Sequence, residues 1–202
     1  LRLGGPFYLM PALWAVGNTL YWMGEFGPAQ EHLEQSMALY DRQHHPSHLL
    51  LYGQDQGVTC LAFQVWNLWC LGYPDQALKK AREAVVLAQE IEHPYSLVYA
   101  LAWSAQGHNK CRKWSAGQKQ SDELIRLSTR HHYPFWMAAG HLHRSTALMG
   151  QGHLEEGIRG MRAAIDNFRA IGAEVSVPYN FSFLVEAYRQ TGQLVEGIEL
   201  AN

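Results

Sequence analysis

Histidine has the widest chemical reach of any residue type in this chain, and its spacing argues against most of that chemistry. The chain has 202 residues, 11 of them histidine. His141 and His143 stand two apart in a helical stretch and so face different sides. A helical metal pair needs a spacing of three or four, as in HExxH, and that motif is absent. His44, His45 and His48 surround Pro46 and have the makings of a weak chelate, but the plainer reading is an inter-repeat connection. His131 and His132 close a helical stretch, where imidazolium suits the helix dipole. His108 reads as a core or groove residue. No metal and no cofactor is expected.

Nucleophiles and acids give no stronger signal. The sequence contains no GxSxG elbow and no GxxxxGK[ST] phosphate loop. Glu155 and Glu156 are adjacent at a helix start, where acidic residues are ordinary dipole partners. Asp55, in the phrase Tyr52-Gly53-Gln54-Asp55, has two readings: a cap for a helix beginning near Gly57, or a ligand contact. Cys60, Cys70 and Cys111 form no CxxC pair and read as reduced thiols of a cytoplasmic protein. A net charge of −2 supplies no basic face for nucleic acid. The most apolar stretch, 58–71, is about 14 residues against the roughly 20 of a membrane span. These absences point away from an enzyme in its own right and toward a binding protein.

The elements that would position a binding surface show as a repeat. A turn residue followed five positions later by a small one recurs at Gly24/Ala29, Gly72/Ala77, Arg112/Gly117, Gly152/Gly157 and Gly192/Gly197. The anchors are 48, 40, 40 and 40 residues apart by subtraction of those numbers. Pro46, Pro94 and Pro134 stand 22 residues after the first three anchors, and Pro178 plays the same part in the fourth unit. Glycine ends a helix in the left-handed conformation, and proline opens the next one. Between these marks the apolar residues follow helical spacing, as in Ala77, Leu78, Ala81, Ala84, Val85 and Ala88. The spacing predicts first helices near 8–23, 57–71, 95–111, 135–150 and 179–191. It predicts second helices near 28–43, 75–92, 115–131, 154–171 and from 194 on. The longer first spacing leaves LLLYGQDQG as either a loop or an extension of a helix.

The expected fold is all-α: a solenoid of about five helix-turn-helix repeats, near 8–45, 46–93, 94–133, 134–177 and 178–202, forming one right-handed superhelical domain. The missing initiator Met and a helical pattern still running at Asn202 suggest part of a longer chain. The segments HLEQSMALYD (32–41), LYGQDQGVTCL (51–61), LWCLGYPDQALKKAREAVVLAQEIEHPYSLVYAL (68–101) and EEGIRGMRAAIDNFRAIGAEVSVPY (155–179) carry a family resemblance. They resemble the tetratricopeptide-like (TPR-like) C-terminal region of bacterial proteins that join a class III adenylate/guanylate cyclase domain to an AAA-type predicted ATPase. Arg112 in place of a turn glycine and Gln56 in place of a proline depart from the pattern. The resemblance implies a regulatory repeat domain and confers neither activity on this chain.

It also implies that the first helix of each pair lines a concave wall. Counting back from each anchor places Trp14, Asn18 and Tyr21 there, then Thr59, Ala62, Trp66 and Trp69, then Tyr99, Ala102, Gln106 and Asn109. The fourth repeat adds Ala139, Leu142 and Thr146, and the fifth Tyr179, Ser182, Glu186 and Arg189. Rigid aromatics mixed with amides and hydroxyls are the composition of a recognition surface. The expected function is non-catalytic binding of a peptide, a partner protein or neighbouring domains of a parent chain. The alternative is a small-molecule sensor using the same groove.

Overall fold

The computed structural model describes residues 5–173 and 177–201. Among them are eleven α-helices, one 3₁₀ turn (Arg42–His44) and no strand. In chain order the helices are α1 (Pro6–Trp22), α2 (Phe26–Ala38), α3 (His45–Tyr52), α4 (Gln56–Cys70), α5 (Pro74–Glu90) and α6 (Pro94–Lys110). They continue with α7 (Trp114–Arg130), α8 (Pro134–Gly150), α9 (Leu154–Ala170), α10 (Val177–Thr191) and α11 (Leu194–Ala201). The chain divides into two compact units, Leu1–Gly107 and His108–Asn202.

One turn recurs through both units. Gly24, Gly72, Gly152 and Gly192 have φ of 83°, 85°, 92° and 75°, the left-handed region that a side chain disfavours. The next residue's amide donates to the carbonyl five positions back: Glu25 to Leu20 at 2.9 Å, Tyr73 to Leu68 at 2.8 Å, His153 to Leu148 at 2.9 Å and Gln193 to Tyr188 at 2.9 Å. This six-residue closure satisfies a carbonyl that the end of a helix leaves orphaned. Arg112 makes the same turn at φ 55°, with Lys113 donating to His108 at 2.8 Å, so the replacement of glycine leaves the geometry intact. Glu92 and His132 are left-handed too, at φ 53° and 56°.

Five residues past each anchor, Ala29, Ala77, Gly117, Gly157 and Gly197 are all buried, which lets helices approach closely. In the first unit Val58, Leu61, Ala84, Ala88 and Ala100 form one core cluster, and Val65, Leu68, Ala77 and Ala81 form another. Buried polar groups tie α2 to α4: the Cys60 thiol donates to the Leu33 carbonyl at 3.0 Å, and Asn67 Nδ2 donates to the Phe26 carbonyl at 2.9 Å. In the second unit Leu142, Ile158, Met161, Ile165, Phe168, Leu184 and Tyr188 close a core among α8, α9 and α10.

The longer first spacing resolves differently from expectation. The second helix of the first pair ends at Ala38, not near 43. The following residues form the 3₁₀ turn and the short α3, which ends at Gly53 with φ 70°. The insertion is therefore an added helix, neither a plain loop nor an extension.

The turns predict opposite effects from two substitutions. Glu92→Gly relieves a left-handed residue with a side chain and raises stability by up to about 1 kcal/mol, the gain limited by the looser unfolded chain. Gly72→Ala lowers stability by about 1 kcal/mol. Urea unfolding midpoints check both; identical midpoints in all three proteins would mean that the turn residues set no conformational preference.

Candidate functional site

The first helices of the first unit carry a continuous aromatic seam. Trp14 of α1 meets Phe63 of α4 edge-on at 5.6 Å between ring centroids, and Tyr21 reaches Trp66 at 5.7 Å. Trp66 and Phe63 then meet Trp103 of α6 at 4.2 and 4.8 Å. Tyr99 lies 5.7 Å from Trp103, and Trp22 lies 6.1 Å from Trp66. The Trp14–Phe63, Trp66–Trp103 and Trp22–Trp66 pairs are edge-to-face, and such pairs each add about 1 kcal/mol beyond the area they bury. Trp22 is 64% exposed, so the seam reaches solvent. One turn apart on α1, the Trp14 indole N–H and the Asn18 amide oxygen are buried with no hydrogen-bond partner among the described residues.

The side chains expected on a concave wall separate by burial. Trp14, Asn18, Tyr21, Trp66 and Gln106 are half-buried, and Trp69 is exposed. Thr59 is fully buried and its hydroxyl donates to the Asp55 carbonyl at 2.9 Å. Tyr99 is buried, and burial pushes its phenol well above the usual range. Ala62 and Ala102 are buried as well, and so is the neighbouring Phe63, while Trp103 is half-buried; both rings belong to the seam and neither was in the expected set. The signal for both was there as aromatics spaced i, i+3 and i, i+4 with Trp66 and Tyr99.

In the second unit Leu142 and Ala139 belong to the core, and Asn109 is buried with its Nδ2 donating to the His143 carbonyl at 2.8 Å. Thr146 and Glu186 line a cavity of about 490 Å³. Arg189 and Glu186 form a two-bond ion pair at 2.8 Å, and with Gln190 the pair holds the Glu186 carboxyl down to about 2. Ser182 is exposed, and the side chain of Tyr179 lies outside the described residues. Burial pushes the His143 imidazole down to about 4, so it is neutral at pH 7.

Asp55 turns out to hold the first unit's densest polar cluster. Its side chain is fully buried, and Oδ1 accepts from the Val58 amide at 3.0 Å, capping α4. Oδ2 faces His45 Nδ1 at 3.0 Å and His48 Nδ1 at 3.7 Å, and accepts from the Tyr40 hydroxyl at 3.2 Å. The Asp55 amide donates to Ser96 Oγ, which also meets His93 Nδ1 at 2.9 Å. Burial by itself would raise the Asp55 carboxyl; the His48 imidazole, the Val58 amide and His45 together outweigh it and hold the group below the carboxylate range. His48, one of three histidines read as part of a connection, is 1% exposed inside α3 and stacks on Phe7. Among the described residues no group of three or more His, Cys, Asp or Glu is placed to hold a metal ion, and no helix is long and apolar enough to cross a membrane. Burial pushes the Cys60 thiol up to about 11, which removes it as a nucleophile at neutral pH.

No family model and no curated protein matches this sequence. Solved structures do resemble it. The apo form of RapI is 9% identical over 99% of this chain and 83% of its own, with a TM-score of 0.71. A Rap protein complexed with Competence and Sporulation Factor is 11% identical over 96% of this chain and 51% of its own, with a TM-score of 0.70. A Signal Transduction ATPase with Numerous Domains from Pyrococcus horikoshii, which has a tetratricopeptide repeat sensor, is 14% identical over 94% of this chain and 28% of its own, with a TM-score of 0.68. At these identities the likeness establishes the fold, a TPR-like all-α repeat.

The buried carboxylate yields a signed prediction. Because the folded Asp55 carboxyl is held below its unfolded value of about 3.9, its stabilisation is present above that pH and fades as pH falls through the folded value. Asp55→Asn is expected to lose about 2 kcal/mol at pH 7, as charge-assisted bonds to the carboxylate are removed. The deficit should shrink as denaturation is repeated below about pH 4. A deficit that stays constant with pH would show that the charge of Asp55 contributes nothing.

Proposed function

We propose that this chain is a non-catalytic interaction module, and that the aromatic seam of the first unit receives an extended peptide or a segment of a partner domain. The seam itself carries this reading: linked rings from three successive first helices, reaching solvent at Trp22. Aromatic anchors of this kind are where binding energy concentrates. Absence of a metal cluster among the described residues and the high Cys60 thiol leave the first unit little to do chemistry with. The resemblance to cyclase/ATPase proteins extends the proposal: the module would report occupancy to nucleotide-hydrolysing or cyclising domains of a longer chain. A solved relative that is a repeat sensor on an ATPase is in keeping with that role.

The test uses Trp66→Ala beside Trp66→Phe, each checked for helix content and melting temperature. The alanine variant should weaken binding of a partner segment, captured with the parent chain and mapped to a peptide, by more than tenfold, and phenylalanine should restore most of it. In a longer parent protein the alanine variant should also change nucleotide turnover. Undiminished binding in a folded Trp66→Ala protein would sink the proposal.

A further inference from the structure

Arg112 and Gly150 line the same cavity in the second unit. Arg112 stands at φ 55° in a turn where Gly24, Gly72, Gly152 and Gly192 fill the equivalent place. A side chain in that conformation costs about 1–2 kcal/mol, and strain of this sort persists where the side chain has a use. Gly150 is the last residue of α8. A Cβ at that position would run into the Trp114 indole ring, so glycine is what lets Trp114 lie flat against the helix.

Arg112 and Trp114 are both in the wall of the cavity of about 490 Å³. Met149, Leu154 and Phe183 make it apolar, and Glu186 stands at its polar side. The volume falls in the range of about 300–1,000 Å³ typical of small-ligand sites. Glu186 is already committed to Arg189 and Gln190, at 2.8 and 2.7 Å. Arg112 is exposed, and its guanidinium makes no hydrogen bond or ion pair among the described residues. The uncommitted charge in the wall is therefore a single guanidinium, beside an indole and other apolar groups.

We propose that this cavity is a second binding site, separate from the aromatic seam, for an apolar ring or chain that carries a carboxylate. A guanidinium pairs with a carboxylate through two parallel hydrogen bonds, a match that fits one uncommitted cation and one negative charge. The apolar portion lies on Trp114 and Phe183. The chemistry is shared by a free arylalkanoate and by an acidic peptide with an aromatic anchor, and the experiment separates the two.

The indole N–H signals of ¹⁵N-labelled protein are followed by NMR, with Trp114 assigned by its loss in Trp114→Phe. N-acetyl-phenylalanine is titrated beside N-acetyl-phenylalaninamide, which has the same ring and no charge. The acid should move the Trp114 signal and bind at least tenfold tighter than the amide. Arg112→Gly should abolish that preference with an unchanged or higher melting temperature, since glycine is the residue the other turns use. A C-terminally amidated acetyl-Asp-Phe-Asp that binds tighter than N-acetyl-phenylalanine supports the peptide source, and the reverse order supports a free carboxylate. Equal binding of acid and amide, a silent Trp114 signal, or an undiminished preference in Arg112→Gly overturns the proposal. None of these outcomes bears on the first unit's seam, because no residue of the seam lines this cavity.

Discussion

A helix pair of this kind cannot bury its own apolar face, and every other feature of the molecule follows from that constraint. The turn between the two helices must be tight, so the chain enters the left-handed region and closes a hydrogen bond five residues back. A small residue must follow five positions later, so that the second helix can lie against the first. What remains uncovered is taken up by the next pair: Ala88 of α5 and Ala100 of α6 share one cluster, and Phe168 of α9 shares another with Leu184 of α10. The repeat period is the outcome of this requirement, because within each unit one helix pair supplies the surface that covers the next.

The same constraint explains why polar chemistry concentrates at the connections. Between Ala38 and Gln56 the chain departs from the period and buries a carboxylate, which is expensive unless it is fully satisfied. Asp55 meets that condition with a backbone amide, a phenol and the His45 imidazole bonded to one side chain, and with the His48 ring 3.7 Å away. It caps α4 and at the same time anchors α3 and the end of the preceding connection, so an irregular insertion is held by polar contacts where the regular pairs are held by apolar ones. Both readings of Asp55 began from its place before a helix, and the capping bond is present in the structure.

The two surfaces differ in kind. The first unit carries edge-on and tilted ring contacts among α1, α4 and α6, with buried polar atoms beside them. The second carries a half-open cavity with one uncommitted cation, Arg112, in its wall. Burial raises the Cys60 thiol, burial and Lys110 lower the His143 imidazole, and Arg189 lowers the Glu186 carboxyl.

The sequence by itself determined the helix pairs and their boundaries to within a few residues, because a left-handed turn, a proline at a helix start and 3.6-residue periodicity are local demands that each leave a residue-type signature. The aromatic residues of α1, α4 and α6 were legible as a set for the same reason. Which of them face one another was not, because the turn anchors place each helix start only to about a residue, and a one-residue shift on a helix turns a side chain by 100°. Only the tertiary structure decided that Phe63, Trp66 and Tyr99 all meet Trp103, that residues 42–52 form an extra turn and helix, and that Tyr40, His45 and His48 converge on Asp55. It also decided that Arg112 and Trp114 meet residues of α8, α9 and α10 around one cavity. Those contacts join residues up to about 78 positions apart, and nothing in a local pattern encodes which distant side chains will share a wall.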